Sequence, residues 1–188
     1  MRETIAWSYD LLTPGEQTLF RRLTVFDGGC RLSAIDDLCD RTGDLQIDLV
    51  DGIEDLQRNS LLRLEETADE EPRFRMLETI REFGLERLAA SGEEEELRRR
   101  HAGYYLSFAE EAARGFYSPA TALWLDRLES EHDNLRAVLR WCIERRNAEM
   151  GLRLGAHFGC SGTSADTRPR GGPSSQRSSP FPRLPRRR

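Results

Sequence analysis

Four cysteines, three histidines and the stretch "ESEHDN" (Glu129 to Asn134) are the groups in this chain that could hold a metal or act as nucleophiles. A zinc site needs thiolates and imidazoles at close, regular spacing. Cys30, Cys39, Cys142 and Cys160 form no C-x-x-C pair. His101, His132 and His157 stand far apart, and none lies in a G-x-S-x-G or H-E-x-x-H context. The thiols are therefore expected to be free and mostly buried, in a reducing cytosol. "ESEHDN" could mimic a metal site, but at a helix start Asp133 and Asn134 are ordinary capping residues. No catalytic, cofactor-binding or metal-ligating residue is assigned, and the chain is expected not to be an enzyme.

The elements that would position any site come next. Charged residues make up 32% of the 188 and hydrophobic ones 38%, a soluble, globular balance. No apolar run approaches the roughly 20 residues that span a bilayer. The opening "MRETIAWSYDLL" is broken by Glu3, Ser8 and Asp10, which argues against a signal peptide and for a cytoplasmic protein. The net charge of −5 hides two opposed parts. Residues 161–188 hold seven Arg and one Asp, a local +6, which leaves about −11 on residues 1–160.

Residues 1–92 read as a helical unit with one hairpin. Ile5, Tyr9 and Leu12 form a short helical stripe. Thr13-Pro14 opens a second helix that turns Leu19, Phe20, Leu23 and Phe26 inward and stops at Gly28-Gly29. Ser33 is placed as the cap of a third helix, over Ile35, Leu38 and Cys39. A fourth, from about Leu45 to Arg58, directs Leu49, Val50, Ile53 and Leu56 to the core. "LLRLEE" and "RFRML" then pair as two strands around "TADEEP". In the second strand Phe74 and Met76 alternate against Arg73, Arg75 and Leu77. From Thr79 the apolar residues Ile80, Phe83, Leu85 and Leu88 change to helical spacing. Helices, a hairpin and a helix in that order predict a winged helix-turn-helix, with Trp7, Phe20, Phe26, Ile53, Leu56, Phe74, Met76 and Phe83 as its core.

Residues 93–160 are expected to be all helix. Glu94, Glu95 and Glu96 precede Arg98, Arg99 and Arg100 by four residues, which marks a solvated face. Trp124, Leu128, Leu135 and Trp141 are the expected core of this part, and its paired helices look like the start of a tetratricopeptide-like array. Residues 161–188 contain six Ser, five Pro and three Gly beside the seven Arg, and nothing there can bury a core. This tail is expected to be disordered, with a frameshifted reading of the gene as its source. The fold class is thus mainly α: winged helix, antiparallel helical segment, tail.

Four blocks, "TIAWSYDLL", "EQTLFRRLTVF", "RFRMLETIREFGLERL" and "WLDRLESEHDNLRAVLRW", resemble the region after the nucleotide-binding module of STAND-class (NB-ARC-like) signalling ATPases. The resemblance covers about residues 1–158. It implies a regulatory segment whose winged helix couples an ATPase module to a helical sensor, with that module as protein partner. The catalytic part is absent here: the chain has no lysine and hence no G-x-x-x-x-G-K-[ST] loop. Many relatives carry Met-His-Asp at the strand-to-helix junction, the His facing ADP phosphates. Met76, Leu77 and Glu78 occupy those places, and leucine has no donor to offer. Arg73, Arg75 and Arg81 are left as groups that could face the ATPase module, against the plainer expectation that they are solvated.

The helix ahead of the hairpin is the one that enters the major groove in DNA-binding winged helices. With its approach it carries Asp44, Asp48, Asp51, Glu54 and Asp55 against Arg58, and the wing adds Glu65, Glu66, Asp69, Glu70 and Glu71 before Arg73. Ten carboxylates against two arginines would repel a phosphate backbone. A protein partner is favoured, and a DNA-binding transcription factor is the alternative. The Arg-rich tail could hold nucleic acid weakly.

Overall fold

A computed structural model describes residues 2–40, 43–65 and 71–159. Glu66, Asp69, Glu70, Cys160, the side chain of His157 and the whole tail lie outside the described part. Helix α1 (Arg2–Asp10) packs on α5 (Glu78–Ser91) through Ile5 and Tyr9. Helix α2 (Pro14–Leu23) opens with a reciprocal cap. Thr13 Oγ1 accepts from the Glu16 amide, while the Glu16 carboxylate accepts from the Thr13 amide at 2.7 Å. Its buried face holds the predicted Leu19, Phe20 and Leu23, but the helix ends at Leu23 rather than at Gly28-Gly29, and Phe26 is buried in the segment beyond it.

The chain then turns through Gly28 and Gly29, at φ 76° and 97°. At Gly29 a side chain is excluded twice over, since a Cβ there would lie 2.7 Å from the Phe74 carbonyl oxygen. The turn delivers β1 (Cys30–Arg31), followed by α3 (Leu32–Cys39) and α4 (Leu49–Arg58). Strands β2 (Arg63–Glu65) and β3 (Arg73–Arg75) form the predicted hairpin, but the sheet has three antiparallel strands in the order β1-β3-β2. Strand β1 is two residues long and has no alternation of its own. It exists because the glycine turn lays Cys30 beside Phe74 and Arg31 beside Arg73.

After α5 ends on Gly92, in the left-handed conformation at φ 78°, come α6 (Glu94–Gly115), α7 (Thr121–Ser130), α8 (His132–Glu144) and α9 (Ala148–Gly159). Helix α6 is the spine of this part and packs on α3, α7, α8 and α9. One buried apolar cluster runs from Ile5 to Leu154 without a break at residue 92.

Several local expectations change. Trp7 is 65% exposed, so it is not core, because α1 turns Ile5 and Tyr9 inward and leaves Trp7 outside. Val50, expected in the core, points out of α4. No residue of α7 is buried: Trp124 lies half-buried over Gly115 and Phe108 rather than within the core. Helix α4 starts at Leu49, capped by Asp48, whose carboxylate accepts from the Val50 and Asp51 amides. Ser33 does not cap α3; its amide instead donates to Glu71 across the fold at 2.8 Å. On α6, Arg98 and Arg100 take the expected i,i+4 partners, but Glu95 reaches Arg145 at the end of α8.

Candidate functional site

The strand-to-helix junction is a joint whose charges are already committed. Phe74 and Met76 are buried as their alternation predicts. Leu77 is the N-cap of α5 and is partly exposed. Glu78 accepts two bonds from Arg81, at 3.1 and 3.0 Å, and Arg81 also stands 3.7 Å from Asp27. Arg75 pairs with Glu65 across the hairpin. These residues line a cleft of about 490 Å³ together with Gly28, Gly29, Leu64 and Asp133. Arg63, Arg75 and Arg81 face Asp27, Glu65, Glu78 and Asp133 there, which is no surplus of positive charge for a phosphate.

Arg73 contradicts the expectation that it is solvated or faces another module. It is buried, and its guanidinium donates to the carbonyls of Gly28 (3.2 Å), Gly29 (3.2 Å) and Ser130 (2.6 Å) and to the carboxylate of Glu131. Glu131 is itself buried and accepts from Tyr105 Oη and Asn134 Nδ2, both at 2.8 Å. Arg31 stands 3.5 Å away from the same carboxylate and donates to Ser130 Oγ. Asn134 donates onward to the Gly29 carbonyl and accepts from the Asp27 amide, both at 2.8 Å. Strand residues, the glycine turn, α6 and the α7–α8 joint thus meet at one carboxylate.

The hexapeptide "ESEHDN" is accordingly divided by the fold. Glu131 and Asn134 are buried in this network, whereas His132 and Asp133 are exposed. The expected capping role is not taken up, since α8 begins at His132 with Glu131 in the cap position and no side-chain cap bond. No sequence signal distinguished Arg73 and Glu131 from solvated neighbours. Alternation says which side of a strand a residue occupies, not what covers that side.

A second arginine does similar work on α2. Arg22 is buried and donates to the Cys39 carbonyl, to both Asp44 oxygens at 2.7 Å, and to Glu93 at the α5–α6 joint. The bond to Asp44 raises its pKa above the usual arginine range despite burial. Burial alone would raise the Glu93 carboxyl, but Arg22 and Arg21 bring it below the usual range.

His101 sits beside the Glu131 network, 3.4 Å from Asn134 Oδ1 and edge-on to Phe26. Burial lowers its pKa to about 4; the Asn134 contact opposes this and Arg98 assists it. An unfolded histidine titrates near 6.5, so on acidification the unfolded chain takes up the proton first. The stability of the fold is therefore full above about pH 6.5 and falls progressively toward pH 4. Roughly 2 kcal/mol should be lost between pH 7.5 and 5 through this residue. Urea titrations of the wild type and His101→Gln at both pH values measure it, and equal pH slopes would contradict a neutral buried imidazole.

Burial also pushes the Cys30 and Cys39 thiols up, so these free cysteines are poor nucleophiles.

The outward face of α4 decides what the helix can touch. Asp44 is spent on Arg22, Asp48 on the cap, Glu65 on Arg75 and Glu71 on the Ser33 amide. Four of the ten carboxylates are therefore committed within the fold. Asp51, Glu54 and Asp55 remain on α4 against Arg58, which bonds Asp55 and Glu54, a local charge of −2.

Helices α2, α3 and α4 followed by the hairpin, with β1 closing the sheet, define a winged helix-turn-helix. Residues 12–89 match the winged helix-turn-helix domain family. Over 154 residues, 82% of this chain, the sequence is 34% identical to provisionally named HTH-type transcriptional regulators of Mycobacterium tuberculosis and Mycobacterium bovis. The matched part is 17% of those relatives' length. No solved structure matches the chain. Among the described residues no helix is long and apolar enough to cross a membrane.

Proposed function

We propose that this chain is a segment of a DNA-binding transcriptional regulator, and that within it the winged helix grips protein rather than base edges. The regulator class is supported by the winged helix-turn-helix match and by the names of the mycobacterial relatives. The observation that carries the second half is the α4 face, where Asp51, Glu54 and Asp55 outnumber Arg58. DNA affinity rests on neutralised phosphates and released counterions, and this face supplies neither. A basic surface on another part of the longer protein is the partner its charge fits. The coupling of an ATPase module to a helical-repeat sensor is the finer form of this reading; it rests on the four-block resemblance, while the comparisons support the regulator class alone. In this reading the segment is non-catalytic and works in the cytoplasm.

The second reading, in which α4 itself enters the major groove, is favoured by the same family match. A mobility-shift titration with random and genomic DNA across salt separates the two. The expected result is no sequence-selective complex at about 0.15 M salt and only weak, salt-labile binding below it. An enriched DNA motif whose binding is lost on changing Arg58→Ala would establish α4 as the DNA reader instead.

A further inference from the structure

We infer that the Arg73–Glu131 pair is a latch that makes the winged helix and the helices after it a single cooperative body, opening and closing as one unit. The inference is independent of what α4 contacts.

Both partners are almost free of solvent, at 5% and 3% exposure, and each half of the fold supplies one of the charges. Arg73 comes from β3 and Glu131 from the α7–α8 joint. The guanidinium fork is filled on both sides. Its other donors go to the glycine-turn carbonyls of the winged helix and to the Ser130 carbonyl of the helical part. Asn134 repeats the same bridge, taking the Asp27 amide and giving to the Gly29 carbonyl. Such geometry is directional. A planar fork meeting a carboxylate and three fixed carbonyls has one satisfactory placement.

The consequence follows from the cost of an unpaired buried charge. A buried ion pair adds little stability over a well-packed apolar pair, yet losing one partner is severely destabilising. Moving the α7–α8 joint off β3 by even one turn would leave the buried Arg73 and Glu131 without each other. Intermediate placements are therefore excluded, and the interface is either fully closed or fully open. Arg22 ties the α5–α6 joint through Glu93, a second point of attachment between the same two parts. Phe26 packed edge-on to His101 adds an apolar contact across the same seam. A loosely hinged pair would show polar, water-accessible contacts instead.

Hydrogen exchange on the intact chain tests this through one ratio, the protection of core amides in α2 relative to those in α8. A single body opens as one unit, so the ratio in the wild type is expected to stay within about threefold of unity. Val138→Ala, a core truncation two turns along α8 from Glu131, should lower protection in both helices together and leave the ratio unchanged. Glu131→Gln, which removes the counterion and little volume, should drive the ratio away from unity by about 30-fold or more as the halves open separately. Glu131→Asp keeps the charge but withdraws it by one methylene, and it reads the same ratio should the Gln variant fail to fold. A wild-type ratio far from unity overturns the latch, and so does a ratio that Glu131→Gln, or Glu131→Asp in its place, leaves at the wild-type value.

Discussion

Replacing Phe20 with Ala will lower the unfolding free energy by about 3–5 kcal/mol. The ring has no exposure to solvent and sits where α1, α2 and α5 meet. Tyr9 lies 5.3 Å away, centroid to centroid, and Phe83 6.4 Å away, both in tilted arrangements that favour aromatic contact. The neighbourhood cannot collapse to fill the space left behind. Helix α5 approaches α2 through Gly84, where a Cβ would already come within 2.3 Å of Thr24 and 3.0 Å of the Phe20 ring. Gly84 has no side chain to turn into the space left by the ring, so truncation leaves a cavity rather than a repacked core. A domain of this size has about 5–15 kcal/mol in all, and the variant should be near the limit of folding at 37 °C. Urea unfolding followed by circular dichroism gives the number, and a loss below about 1 kcal/mol would refute the assignment of this three-ring cluster as the centre of the winged helix.

Tyr105→Ala should cost a similar amount, about 3–5 kcal/mol, for two separable reasons. The ring is fully buried among His101, Tyr104 and Phe108, and the hydroxyl donates to Glu131 at 2.8 Å. Its own pKa is raised well above the usual range, first by burial and then by the Glu131 charge, so it remains a donor at any working pH. Tyr105→Phe isolates the second reason. It keeps the ring, removes one donor to a buried carboxylate and should cost about 1.5–3 kcal/mol, the range for hydrogen bonds to charged groups. The two variants measured together apportion ring and hydroxyl. A Phe variant as stable as the wild type would mean that Glu131 is satisfied without the tyrosine.

The winged helix was legible because its signals are local. Thr13-Pro14 describes a helix start, and the structure forms it, with Glu16 completing the cap. Leu19, Phe20 and Leu23 recur at helical spacing and are buried. Phe74 and Met76 alternate along a strand and are buried, with the helical stripe of Ile80, Phe83 and Leu88 directly after them. The errors share a cause as well. Trp7 and Val50 are apolar residues at the edge of a correct stripe, and spacing alone does not say how wide a stripe the neighbours will cover. Two of the charged residues expected to be solvated, Arg22's partner Asp44 and the strand residue Arg73, found partners 22 and 58 positions away.

Residue type and spacing by themselves determined the order of elements, the family of fold and the apolar centre of each helix. These depend on backbone propensity and on periods of two or 3.6 residues, which are written into a single segment. Only the tertiary structure decided that the sheet has a third strand, that "ESEHDN" belongs to an internal polar network, and that Arg73 spans the two parts of the chain. Each of those is a pairing between segments distant in sequence, fixed when the glycine turn and the α7–α8 joint are brought together. A charge on a strand or at a helix start has the same local appearance whether water or a buried carboxylate will meet it.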